Sequence, residues 1–244
     1  MTNRSAARLT GVLFITATVA ALLGAAVRPD LTGTDYLTQV SAQGNRVAAG
    51  VLLLLIAAFA CAGIAVSMYP ILRKANAGLA LGSVVFRTME AVMYVIAVVS
   101  LLSLLTLGQQ LVSAGTAERA SLGAVGGLLL SLREHAALAG VFAFCLGAFL
   151  YYCAFFQSRL IPRWLSGWGI AAIILLTTAG VLALFNNDAV TGYVPLALPI
   201  FLQEMVLAVW LIAKGFRPSA LRSDDLPATN PAIPALDDHA PVAA

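Results

Sequence analysis

Six stretches of the chain run for about twenty residues each with hardly any charge and little but apolar side chains. A hydrocarbon core about 30 Å thick is crossed by about 20 residues of helix, rising about 1.5 Å per residue. That ruler marks residues 9–27, 47–68, 79–107, 136–156, 165–185 and 194–213. Composition agrees: 61% of the residues are apolar and 10% charged, where an ordinary globular domain has about 45–50% and about 25%. A soluble fold could not hide so much apolar surface, and a disordered chain would not contain it. Lipid offers backbone N–H and C=O groups no partner, so the spans must be helices, and no ten-residue alternation suggests a barrel. The expected fold is all-α, a polytopic bundle of six transmembrane helices whose first partner is the lipid bilayer.

Lysine and arginine near the span ends set the orientation. One side receives Arg4, Arg8, Arg73, Lys74, Arg159, Arg163, Lys214, Arg217 and Arg222, and the other Arg28, Arg46, Arg119 and Arg133. Nine against four places both termini in the cytoplasm. Residues 1–8 then form a cytoplasmic N-terminus, 9–213 the membrane domain, and 214–244 a Pro-rich cytoplasmic tail of disordered composition. Trp164 and Trp168 flank the inner end of the fifth span as interfacial anchors. The first span also resembles a secretory signal, but its apolar run exceeds the usual 7–15 residues and is read as a retained helix. In the loop from Arg28 to Arg46, Asp35–Val40 reads as a short surface helix capped by Thr34. Residues 110–135 read either as a re-entrant or surface helix or as an extension of the fourth span.

Several function classes fall away. Basic residues are scattered without interleaved aromatics, so nucleic acid is not an expected partner. Cys61, Cys145 and Cys153 sit inside apolar runs without a CxxC or Cys/His cluster, and they read as packing residues. No HExxH, nucleotide-binding or catalytic-triad motif is present. No catalytic residue, cofactor site or metal site is assigned, and enzymatic activity is the less favoured class.

Three ordered stretches carry a resemblance. They are Asn45-Arg46-Val47; Tyr69-Pro70-Ile71-Leu72-Arg73-Lys74 running through Gly78–Gly82 to Phe86-Arg87-Thr88-Met89-Glu90; and Ser158-Arg159-Leu160-Ile161-Pro162-Arg163-Trp164-Leu165-Ser166-Gly167-Trp168-Gly169. With Gln203-Glu204 in the last span they resemble the bacterial six-span family termed domain of unknown function 4386, over about residues 5 to 218. The resemblance implies a multi-pass protein of the bacterial plasma membrane. It implies no activity.

Arg87 and Glu90 are the anomaly, two ionisable groups inside the third span. Each costs about 2.5–3.5 kcal/mol near the bilayer centre, so they need partners or water. Positions i and i+3 share a helix face, so the two can pair, and Ser83, Arg87, Glu90 and Tyr94 form one polar stripe. Helix rise puts Arg87 about 13 Å and Glu90 about 18 Å deep, with Glu204 about 16 Å deep from the other end. The candidate site is therefore Arg87, Glu90 and Glu204 with Ser83, Tyr94 and Gln203, the stripe facing the interior close to the last span. Two acids sharing one arginine in low dielectric should leave one carboxyl protonated near neutral pH. Glu134 and His135 at the outer end of the fourth span are a weaker candidate for acid–base chemistry. Three functions compete. A structural or accessory membrane protein with a buried ion-pair lock comes first. The alternatives are a small transporter or proton/ion-coupled permease using the cluster, and a membrane enzyme working near the outer face through Glu134 and His135. A sealed cluster favours the lock, and a polar path from the cluster to water favours transport. The ligand is unassigned, and a homo-oligomer stays open.

Overall fold

In the computed structural model residues 3–217 are described; residues 1–2 and 218–244, which hold most of the Pro-rich tail, lie outside them. The described chain is α1 (Asn3–Val27), α2 (Tyr36–Ala42), α3 (Gly44–Ala75), α4 (Ala77–Ser113), α5 (Thr116–Ser158), α6 (Arg163–Asn186), a 3-10 turn at Val190–Tyr193 and α7 (Val194–Ala213), with no strand among the described residues. All of these α-helices except α2 are long and apolar enough to cross a bilayer, which makes six spans and a multi-pass membrane architecture.

Short links dictate the topology. Asn76 alone separates α3 from α4, Ala114 and Gly115 separate α4 from α5, and residues 159–162 separate α5 from α6. Such links allow nothing but antiparallel neighbours. Asn76 also caps α4, its Oδ1 accepting from the Leu79 backbone N–H at 3.0 Å. Arg46 serves the end of α1, donating from Nε to the Val27 carbonyl at 2.9 Å. Each long helix packs on the next, α1 on α3, then α4, α5, α6 and α7, and α7 packs back on α1. The result is a closed ring of six antiparallel helices around a shared interior. The ends holding Asn3 and Ala213 define its terminus face, and the opposite end is its far face.

Large apolar side chains cover the ring's outside: Leu52, Phe59, Val66, Ile174 and Val209 are all exposed. Within, small residues such as Ala57, Ala58, Ala65, Ala148 and Ala154 let helices approach, as van der Waals packing between membrane helices requires. Two clusters fill the interior. One, near the terminus face, contains Phe14, Met68, Leu72, Tyr151, Tyr152, Phe155, Leu160, Ile161 and Phe216. The other, near the far face, joins Leu37 and Val40 of α2 to Val47, Val51, Leu101 and Leu104.

Several sequence expectations change in detail. The N-terminal segment is helical from Asn3, so α1 extends the first span backwards. At the other end Phe216 is buried and the Arg217 N–H reaches the Leu160 carbonyl at 2.9 Å, so the chain stays packed beyond 213. Residues 116–135 continue the fourth span as one 43-residue helix, which rules out a re-entrant segment. At about 65 Å it exceeds the bilayer core, so α5 and the 37-residue α4 project as a hairpin at the far face. The expected surface helix exists as α2, but Asp35 rather than Thr34 holds the N-cap position, without a side-chain cap bond. Leu37 and Val40 are buried, so α2 is docked on the α4–α5 hairpin instead of lying free.

Candidate functional site

The stripe on α4 turns inward. Ser83, Arg87 and Glu90 are buried, with Arg87 only 2% exposed, while Thr88 and Val92 on the opposite side are exposed. Arg87 Nη1 lies 2.9 Å from Glu90 Oε2, the i, i+3 pair that the spacing predicts. The guanidinium is stacked over Phe144 of α5, its carbon 4.9 Å from the ring centroid. Gly147, one turn further along α5, makes this approach feasible. A Cβ there would stand 3.1 Å from the Arg87 backbone nitrogen and 3.0 Å from its Cγ. Arg87 Nε has no protein hydrogen-bond partner among the described residues.

Glu204 faces the same interior from α7. It is only half-buried, and its Oε1 accepts from the Tyr151 hydroxyl of α5 at 3.2 Å. Arg87 is thus committed to Glu90, and Glu204 is held by a phenol. Cys61 of α3 faces Glu90 and closes the group. The stripe faces the interior and meets Glu204 of the last span across the cavity, while α4 itself packs on α3 and α5.

That interior is not sealed. A shaft of ≈ 390 Å³ draws its walls from all six long helices and has Arg87, Glu90, Tyr94 and Glu204 on them. A wider vestibule of ≈ 1010 Å³ opens at the far face among Arg28, Asp30, Glu134, His135 and Asp188. Arg133, Ala137, Val141 and Leu176 line both, so shaft and vestibule adjoin there. Toward the terminus face the passage ends. Tyr151, Tyr152 and Phe155 pack with Leu160 and Ile161, all essentially inaccessible. The cluster is the floor of the shaft, on the side of this packed layer.

The predicted residues divide accordingly. Arg87, Glu90, Tyr94 and Glu204 line the shaft, while Ser83 and Gln203 are not among its lining residues. Ser83 Oγ donates to the Ala80 carbonyl at 2.8 Å. Gln203 accepts from the Tyr152 hydroxyl and donates to the Leu165 carbonyl at 3.0 Å, tying α7 to α5 and α6. Gly169 leaves space for the Tyr152 ring, which an added Cβ would meet at 2.5 Å. Glu134 and His135 are exposed and belong to the vestibule. Among the described residues no set of three His, Cys, Asp or Glu side chains converges as a metal site. Sequence reasoning missed Tyr151, Cys61 and Arg133 as site residues. Tyr151 stands in a tandem Tyr151-Tyr152 within an apolar span, and that was the available signal.

Outside the spans two groups are perturbed at the vestibule. Burial pushes the Arg28 guanidinium below its ordinary value, partly offset by Asp30. Hydrogen bonds from Thr32 hold the Asp30 carboxyl below its usual range. A carboxylate–arginine floor in an apolar shaft can bind or release a proton, or hold a small polar group.

No curated protein and no solved structure matches the chain. One family model matches residues 9–215, from the first span through the last, and the chain therefore belongs to that family, Domain of unknown function (DUF4386).

Proposed function

We propose that the chain is a small-solute permease of the plasma membrane, coupled to protons through Glu204. The shaft over the acid cluster, adjoining the far-face vestibule along four shared lining residues, carries this reading. A structural lock alone has no use for a water-sized passage ending on an acid in lipid, because intramembrane ionisable groups in cavities typically serve ion and proton paths. The excess of lysine and arginine near the terminus face supports a cytoplasmic placement of that face, with the vestibule on the outer side. Arg87 and Glu90 neutralise one another within α4, and the stacking of Arg87 on Phe144 holds α4 against α5. Glu204 is the acid left to exchange a proton as solute enters. The packed layer of Tyr151, Tyr152 and Phe155 is the inner gate, and alternating access requires that it part while the far end closes.

The buried polar ties also fit a second role as structural lock. The Arg87–Phe144 stacking and the Tyr152–Gln203–Leu165 chain fix helix order whether or not solute moves. An outer-face enzyme is the weaker alternative, resting on Glu134 and His135 in the vestibule. Proteoliposomes loaded with a pH-sensitive dye test the permease reading. After an imposed pH gradient, the native protein should dissipate it faster than Glu204→Gln protein, which should match empty liposomes. Equal rates for native, variant and empty liposomes would overturn proton coupling.

A further inference from the structure

Two guanidiniums at the vestibule are half-buried in protein, each with a nitrogen left unpartnered, and Asp30 only partly offsets the burial of Arg28. Arg28 follows α1 and Arg133 sits on the far-face half of α5, and both line the ≈ 1010 Å³ vestibule. Arg28 Nη1 and Arg133 Nε are buried with no hydrogen-bond partner among the described residues. The acids nearby are engaged or turned to solvent. Asp30 accepts from the Thr32 N–H at 3.0 Å and from its hydroxyl at 2.8 Å. Asp188 Oδ2 accepts from the Tyr193 hydroxyl at 3.1 Å. Glu134 and His135 complete the vestibule's titratable set and are exposed.

Arg133 also lines the shaft, at the level where polar vestibule gives way to apolar wall. Below it the lining includes Leu22, Leu54, Ile200 and Phe201. The third arginine, Arg87, stands on the floor with its own unpartnered Nε and is almost wholly buried. Planar guanidinium forks match carboxylate and phosphate oxygens better than any other side chain does. A pocket of about 300–1,000 Å³ with mostly apolar walls and few convergent polar groups suits an organic ligand.

We propose that the vestibule and upper shaft bind an amphiphile with one anionic head, a carboxylate or phosphate, the head on Arg28 and Arg133 and the apolar body in the shaft. The assignment deepens the permease reading by naming the chemistry of its ligand, yet it concerns binding alone. A protein that binds such a molecule and moves no protons would leave it standing.

The test uses the full chain in phosphatidylcholine nanodiscs and measures binding of four twelve-carbon probes by titration calorimetry: dodecanoate, dodecyl phosphate, dodecanol and dodecyltrimethylammonium. Dodecanoate and dodecyl phosphate should bind saturably and at least about tenfold more tightly than the neutral and cationic probes, since a hydrogen bond to a charged group exceeds the 1.4 kcal/mol of one decade. Arg28→Gln and Arg133→Gln should each weaken the anionic probes about tenfold or more and leave dodecanol unchanged. Arg119→Gln is the control, because its Nε bonds the Ala114 carbonyl at 3.1 Å outside the vestibule. Blending phosphatidylglycerol into the nanodiscs separates two sources of the head group. Competition with dodecanoate points to a bilayer lipid and unchanged affinity to a free amphiphile, and either keeps the anionic head. Equal binding of dodecanol, tighter binding of the cation, or native affinity in both glutamine variants would overturn the proposal. The head-group series is run on native protein, so it decides even where a variant fails to fold.

Discussion

Replacing Arg87 by leucine leaves Glu90 buried beside an apolar side chain, 4% exposed and deprived of its 2.9 Å partner. Removing one member of a buried pair costs about 3–5 kcal/mol, because the survivor is left as an uncompensated charge. The stacking on Phe144 is lost as well, worth about 0.5–2 kcal/mol. Glu90→Gln is milder. The amide still accepts from the guanidinium, and Glu204 faces the same shaft as a remaining counter-charge. Glu204→Gln is mildest, since a glutamine oxygen can keep the bond from Tyr151, and an ordinary hydrogen bond is worth about 1 kcal/mol. At about 2–4 °C per kcal/mol for a chain of this size, Arg87→Leu should lower the thermal midpoint by about 7–28 °C and Glu204→Gln by only a few degrees. Intrinsic-fluorescence melting of the three purified variants in one detergent reads this order directly. An Arg87→Leu midpoint no lower than that of either glutamine variant would refute the reasoning, because the arginine would then have no buried acid to neutralise.

Gly147→Ala should destabilise by about 1–3 kcal/mol, because its Cβ meets backbone of α4 that cannot swing aside; a melting curve matching the native one would refute the contact. In a cysteine-free background, Asp35→Cys should react with an impermeant thiol reagent applied outside intact cells and Lys74→Cys should not, and the reverse pattern would invert the topology. Thr88→Cys and Val92→Cys, both exposed on α4, should react with a lipid-soluble maleimide faster than Glu90→Cys; equal or greater reactivity at Glu90→Cys would place the stripe toward lipid.

The spans were legible because lipid imposes a length rule that apolar runs obey: residues 194–213 coincide with α7. The far-face half of α5 was ambiguous because outside the bilayer that rule lapses, and a run such as Leu128–Leu132 suits an interfacial helix as well as a hairpin. The Arg87–Glu90 pair was legible from spacing on one helix. Gln203 was assigned to the cluster beside Glu204, yet one residue turns a helix by about 100° and it points toward α5 and α6. Cys61 leaves no polar anomaly in its run and Tyr151 only its tandem with Tyr152, and their proximity to the cluster depends on helices distant in sequence. The shaft was illegible for the same reason, being a property of ring closure by α7 on α1, which no single span encodes.

The claim that the polar floor is reached from the far face alone is tested by one labelling measurement. Ala97 of α4 lines the shaft and not the vestibule. Ala97→Cys, in a background lacking the three native cysteines, should be modified by a small charged methanethiosulfonate applied outside intact cells, and should stay unmodified when the reagent is applied to the cytoplasmic side of inverted vesicles. Protection from both sides, or modification from the cytoplasmic side alone, would contradict an outward-open passage to Arg87, Glu90 and Glu204.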